Sequence, residues 1–450
     1  MKRHRSTVPL LLIALAVAVG ATALGARAAA PARPAPAAVG VDDAVDRGAR
    51  ALLVEGRRVF RYDTFGSEAF WGGKLRLHEA IEGQALGGVG QGVSPKAALA
   101  LGLKVDSAAL PAAVVAGIKN GSVSLDKPET TVALLKLNAV LGVTGTFDAG
   151  KTHLTGLGIQ CALCHSTVDD SFAPGIGRRL DGWPNRDLNV GAIVASAPSL
   201  KPYEELLGVD DAAVRGVLKS WGPGRYDAEL DQDGKATRPD GKSAATLLPA
   251  AFGLAGVNLH TYNGWGSVTY WNAYVAVTQM HGQGTFFDPR LNNKDQYPVA
   301  VKAGFHNVRN TPDLVTGKLA ALHYYQLSIP APKPPAGSFS AAAAARGKGV
   351  FEGKARCASC HVPPLFVEPG WPMHTADEIG VDDFQAGRSP DKRYYRTTPL
   401  GGLFTRTKGG FYHDGRFADL KAVVAHYDQH LKLQLSEGEA ADLIEYLKSL

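Results

Sequence analysis

All four cysteines of this 450-residue chain lie in two Cys-x-x-Cys-His pentapeptides, one ending at His165 and one at His361. A gap of two residues sets both sulfurs along one edge of a haem, where each thiol adds across a vinyl group. The histidine that follows turns under the ring and offers a nitrogen to the iron. Four cysteines in an exported chain would ordinarily suggest two disulfides, and two Cys-x-x-Cys pairs a zinc site or a thioredoxin-like redox pair. None of these explains the two histidines, and no strand-to-helix setting for a redox pair is apparent. The expected cofactors are two covalently bound haems c. Cys161, Cys164, Cys357 and Cys360 attach them, and His165 and His361 are the proximal ligands.

Function then depends on the far side of each iron. A strong sixth ligand makes an electron carrier, and a vacant or weakly held site admits peroxide or dioxygen. Near the second motif the candidates are Met373, His374, His413 and Tyr427. For the first they are His260, Met280, His281 and His306, and spacing alone does not choose among them. The same region holds Trp265, Tyr270, Trp271, Phe286 and Phe287, read either as ordinary core or as an apolar wall and bridge between haems. Arg178, Arg179 and Arg396 are possible partners for haem propionates, because a guanidinium matches a carboxylate.

Several elements must position these groups. Helices are expected over Asp43 to Arg61, Thr130 to Val143, Asp210 to Trp221, Val268 to Met280 and Ser340 to Phe351. A closing helix runs from Ser436, where Glu439 three residues on completes a capping box. Asp231-Gln232-Asp233-Gly234 lacks the acidic residue that ends a calcium loop and reads as a turn. The expected fold is mainly α, with two cytochrome-c-like haem domains, long loops and a short hairpin in the first. The divisions are a first haem domain at 41–330, a Pro-rich linker at 331–337 and a second domain at 338–450.

Residues 1–28 read as a signal peptide: Lys2, Arg3 and Arg5, then the apolar run Val8 to Leu24, then Ala26-Arg27-Ala28. Residues 29–40 form a Pro/Ala-rich leader. The mature protein is expected to be periplasmic or secreted, with no membrane span. Net charge is +6, without the dense basic run that nucleic acid would call for.

With both haem motifs, Arg396-Thr397-Thr398-Pro399-Leu400, the Phe411–Arg416 loop and the closing helix, the sequence resembles the di-haem superfamily of c-type cytochromes. That superfamily contains bacterial cytochrome c peroxidases and the enzyme that matures methylamine dehydrogenase. The resemblance is strongest over roughly 338–450. The first segment looks most like the di-haem rubber oxygenases, with Tyr270-Trp271 and Phe286 where that family places aromatics. The resemblance implies an open first haem and a six-coordinate second haem. His413 matches the rubber-oxygenase ligand position, and Tyr427 the position that supplies Met or Tyr in the peroxidase and maturation enzymes. The implied activity is a peroxidase-like oxidoreductase. Trp271 and Phe286 serve the reaction, peroxide or dioxygen is the oxidant, and a small soluble redox protein is the electron partner. The alternatives are a pure electron carrier and a dioxygenase of apolar substrates. The chain is shorter than the rubber oxygenases after His361. It is longer than the peroxidases between Ser166 and Pro330, and their acidic catalytic residue has no match here. Glu204, Glu205 and Asp211 are available but read as solvated helix charges.

Overall fold

The computed structural model describes residues 40–450, so the expected signal and all of the leader except Gly40 lie outside the described residues. Two compact units divide between Arg47 and Gly48. The first contributes the opening turns of the helix Val41–Tyr62, with Asp42 and Asp43 in its first turn. The second, Gly48–Leu450, carries both haem motifs and the remaining elements.

The fold is mainly helical, with six two-stranded ladders among the described residues. No helix among them is long and apolar enough to cross a membrane. The expected helices at 210–221, 340–351 and 436–450 form at Asp211–Trp221, Ala341–Glu352 and Glu437–Lys448. Each starts where a side chain satisfies a free backbone N–H: Asp210 for Ala213, Ser340 for Ala343 and Ser436 for Glu439. The helix expected over 130–143 is shorter. It spans Pro128–Lys136 and gives way to an antiparallel hairpin, Val143–Phe147 with Leu154–Ile159. Asn138 at φ 51° and Gly142 at φ 74° break the helical path. Gly142 is required for a second reason: a Cβ there would fall 2.1 Å from the Leu163 nitrogen, inside the first haem motif.

The helix Val268–Tyr274 continues as a π turn, Val275–Gln279, and a second π turn occupies Ala69–Lys74. The two meet where the Trp71 indole donates to the Met280 carbonyl at 2.9 Å. Such turns cluster at functional sites.

Residues on the two sides of the proline run 330–335 are joined directly. Leu247 N–H donates to the His413 carbonyl at 2.7 Å, and Arg396 N–H to the Tyr262 carbonyl at 3.0 Å. In the C-terminal part, Ala341–Glu352 crosses Glu437–Lys448 at Gly347, where a Cβ would lie 1.9 Å from the Asp442 carbonyl oxygen. Arg346 clamps Asp442 with two bonds of 2.7 and 2.6 Å beside the crossing. Gly347→Val is expected to lower stability by about 1–3 kcal/mol through overpacking. The check is a urea titration of the full chain, and an unchanged midpoint would contradict the crossing.

Candidate functional site

The second motif opens onto a cavity of about 390 Å³, within the usual range for ligand sites of about 300–1,000 Å³. Cys357, Cys360, His361, His374, Tyr395, Arg396, His413 and Tyr427 line it. The helix Ala341–Glu352 delivers the chain to a 3-10 turn, Cys357–Ser359, and His361 N–H bonds back to the Cys357 carbonyl at 2.9 Å. His361 Nδ1 lies 3.0 Å from the Phe366 carbonyl oxygen. A ring nitrogen facing a carbonyl carries the proton, which leaves Nε2 as the nitrogen available to a metal.

Four guanidiniums in the cavity wall have no carboxylate partner among the described residues: Arg356, which is exposed, and Arg186, Arg396 and Arg406, which are not. The last three matter here. They bond only to backbone carbonyls, as in Arg406 to Pro399 and Gly401 at 2.8 Å each and Arg186 to Lys408 at 3.3 Å. Burial pushes Arg396 and Arg406 down to about 10. Buried cations without an anion are costly, so this wall fits a ligand bearing carboxylates, as a haem does. Of the three arginines expected to serve in this way only Arg396 lies here. Arg178 is exposed beside Asp169, and Arg179 pairs with Asp106 at 3.3 Å.

The four expected ligands near this cavity differ. His374 Nε2 is 2.7 Å from Glu368, and the Cys360 thiol and Glu368 carboxylate push it up to about 9. Met373 packs against Gly264, where a Cβ would fall 2.6 Å from its sulfur. His413 is buried, stacked on Tyr395 at 5.2 Å, and its Nε2 has no partner. Burial pushes the Tyr427 phenol up, against a hydrogen bond from Tyr412, and Cys360 and Cys357 lie close enough to add to the rise.

The first motif follows the hairpin strand Leu154–Ile159 and a short helix, Ala162–His165. Gln160 N–H donates to Gly142, Asn185 N–H to Cys164, and Gly182 N–H to His165. His165 Nδ1 lies 3.1 Å from the Pro249 carbonyl oxygen, the same arrangement as at His361. All four cysteines are free. Among the described residues the two pairs are not gathered into one metal-binding group, which removes the zinc reading.

Beside Cys164 lies a group of acids and phenols, half-buried at Tyr203, Tyr226 and Asp231 and fully buried at Tyr274. Tyr226 feels Asp231, Tyr203 and Cys164 in turn, and burial holds its phenol well above the ordinary range. Asp231, expected in a turn, is instead on a short helix, Leu230–Asp233, ended by Gly234 at φ 72°. Its carboxylate accepts from the Tyr274 hydroxyl at 3.2 Å, and burial pushes it up to about 8. Sequence reasoning missed it. The acids weighed instead stay at the surface or pair there: Asp211 is held by Arg215 at 2.7 Å, and the Glu205 side chain is 68% exposed.

His281 stacks on Phe70 at 3.4 Å and stands 6.2 Å from Tyr203. Its backbone is left-handed at φ 57°, and burial pushes the ring down to about 3, so it is neutral. His260 is buried, with Nε2 3.0 Å from the Val257 carbonyl oxygen. His306 is half-buried with an unpartnered Nδ1.

Trp265 and Trp271 stack at 5.2 Å and 11°. One apolar cluster holds both with Tyr274 and Phe286 and reaches Cys161. On the other side, Gly264 abuts Met373 and Arg396 of the cavity wall. Phe287, expected with these aromatics, points outward and is 56% exposed.

No family model matches the chain. It is 30% identical over 122 residues to the methylamine utilization protein MauG of Methylorubrum extorquens (strain AM1), covering 24% of this chain and 34% of that protein. Among solved structures, a Kuenenia stuttgartiensis hydrazine synthase pressurised with xenon gives a TM-score of 0.26 at 16% identity, covering 50% of this chain and 86% of that one. A MauG-like protein associated with microbial copper homeostasis gives 0.27 at 18%, covering 49% and 79%. Neither superposition is close enough to carry an argument. The chain spans about one third of the length of the curated relative it matches, and its homology to MauG is local.

Proposed function

We propose that the chain is an exported di-haem c-type oxidoreductase whose first haem reacts with peroxide or dioxygen and whose second exchanges electrons with a small soluble redox protein. The observation that carries this reading is the cavity at Cys357–His361, walled by three arginines that lack an anion. The local likeness to MauG supports it. Haem iron supplies oxidant binding and one-electron chemistry. Each Cys-x-x-Cys-His motif would hold one such group.

The residues divide the remaining work. His165 and His361 present Nε2 because Nδ1 donates to Pro249 and Phe366. Arg186, Arg396 and Arg406 hold the second group's carboxylates. Tyr427, close to both Cys357 and Cys360, would hold the second group from the side opposite His361. The orphaned Nε2 of His413 makes that residue the alternative. Asp231 moves a proton at the first site, with Tyr274 fixing the carboxylate that does so. The Trp265–Trp271 stack carries electrons between the two, and Phe286 packs this path.

The test is spectroscopic. Two haems per chain are expected in alkaline pyridine, resistant to acidified organic solvent, with one high-spin and one low-spin signal in the oxidised protein. Cys357→Ser with Cys360→Ser should leave one. Tyr427→Phe should convert the low-spin signal to high-spin while His413→Gln leaves it, and the reverse result moves the ligand to His413. Two low-spin signals and no reaction with peroxide would make the protein an electron carrier. Oxygen uptake on an apolar alkene would make it a dioxygenase.

A further inference from the structure

Tyr270 occupies the outer end of the aromatic cluster. Its ring meets Trp271 edge-on at 5.5 Å, Phe286 at 5.5 Å and Trp265 at 6.3 Å, and lies parallel to Tyr274 at 6.4 Å. Its hydroxyl donates to Asp288 Oδ2 at 2.7 Å. Asp288 is buried, and its carboxylate is also gripped by Arg290 through bonds of 2.8 to 3.1 Å. Arg290 lies over the Tyr270 ring at 5.7 Å, and its side chain is 46% exposed. Next to this, Phe287 is largely exposed, with the Arg309 guanidinium over its ring at 5.5 Å. A half-buried phenol bonded to a fixed carboxylate, joined by rings to the cluster that reaches Cys161 and ending at the surface, has the parts of a proton-coupled oxidation site.

We propose that Tyr270 is a redox-active tyrosine that oxidises phenolic donors at the surface beside Phe287, Arg290 and Arg309. This rests on the proposed reaction of peroxide at the first haem site. Tyr270 gives one electron inward through Trp271. Its O–H bond breaks, the proton crosses to Asp288 Oδ2, and a neutral phenoxyl radical remains. Hydrogen peroxide is the oxidant. It takes two electrons, and two protons from solvent, and leaves as two waters, with Tyr270 supplying one electron and the reduced redox protein that serves the second site supplying the other. A phenol at the surface then gives a hydrogen atom to the Tyr270 oxygen, which restores the O–H bond and releases the donor as its own phenoxyl radical. The proton on Asp288 returns to solvent. The exposed Arg309 guanidinium favours a phenol carrying a carboxylate.

The experiment is freeze-quench electron paramagnetic resonance on the full haem-loaded protein, reduced beforehand by one electron, after one equivalent of peroxide, grown with ring-deuterated tyrosine to identify the signal. A tyrosyl signal is expected in the wild type and its loss in Tyr270→Phe. Asp288→Asn removes the proton acceptor and should slow radical formation about a hundredfold while the resting haem spectrum stays unchanged. That variant stands in if Tyr270→Phe fails to fold. A parallel arm replaces peroxide with a photogenerated one-electron oxidant, so that haem inert to peroxide sinks the oxidant reading alone and the tyrosine is still tested. A tyrosyl signal of equal yield in Tyr270→Phe, or none in the wild type in either arm, would overturn the proposal.

Discussion

Arg388→Met is expected to destabilise the unit Gly48–Leu450 by about 3–5 kcal/mol. Arg388 is fully buried and comes from the C-terminal part of the chain, yet its partners are in the first segment. It meets Asp227 at 2.9 Å and grips Asp233 with two bonds of 2.9 Å. It also reaches the carbonyls of Lys235 and Ala244, and its own carbonyl accepts from the Tyr297 hydroxyl at 3.0 Å. Glu229, bonded to Gln385 at 2.9 Å, belongs to the same buried group. Even with the guanidinium present, burial pushes Asp227 up to about 7 and raises Glu229. Removing the cation leaves three carboxyls that cannot all stay ionised, and the penalty of an uncompensated buried charge exceeds the value of the pair itself. Protonation relieves that penalty, so the deficit should be small in acid and grow as pH rises. Thermal unfolding at several pH values checks this. Restoring charge balance by adding Asp227→Asn and Asp233→Asn should recover much of the loss. A variant as stable as the wild type at pH 8 would show that Arg388 does not hold the two parts together.

What the sequence made legible came from local chemistry. The haem motifs are self-contained. The helices after Asp210, Ser340 and Ser436 start where a capping side chain announces them. Where the deciding partner lies far along the chain, sequence reasoning failed. Asp231 read as part of a turn because the hydroxyl that holds its carboxylate belongs to Tyr274, 43 residues on, which no local period reveals. Arg186 and Arg406 carry no local signal that sets them apart, and only the folded chain brings them beside Arg396. The helix expected through Val143 lost its last turns to a hairpin partner at Leu154–Ile159. One signal was available and unused. Adjacent residues of a strand point to opposite faces, so of Phe286 and Phe287 only one could join the core.

Asp231→Asn is expected to slow the reaction with peroxide by about 10²–10⁴-fold, the usual range for losing a positioned proton-transfer group. The amide keeps the shape, and its oxygen can still accept from the Tyr274 hydroxyl, which donates to the carboxylate at 3.2 Å. What is lost is the ability to take the peroxide proton and return it. Because burial pushes Asp231 up to about 8, the carboxylate that acts as base forms only as pH rises through that value. The wild-type rate should therefore climb between pH 6 and 9, while the variant's profile is flat. Tyr274→Phe sharpens the assignment. Its hydroxyl is the strongest influence holding the Asp231 value down against burial, so the rising limb should move to higher pH. Stability runs the other way. An acid whose folded value is raised favours the fold fully below the ordinary carboxylate range, and this contribution is lost as pH rises through about 8. Asp231→Asn should then be no less stable than the wild type at pH 9, which separates lost chemistry from lost structure. Stopped-flow absorbance of the haem bands gives the rate and thermal unfolding the stability. An Asn variant that reacts at the wild-type rate across this range would remove Asp231 from the reaction.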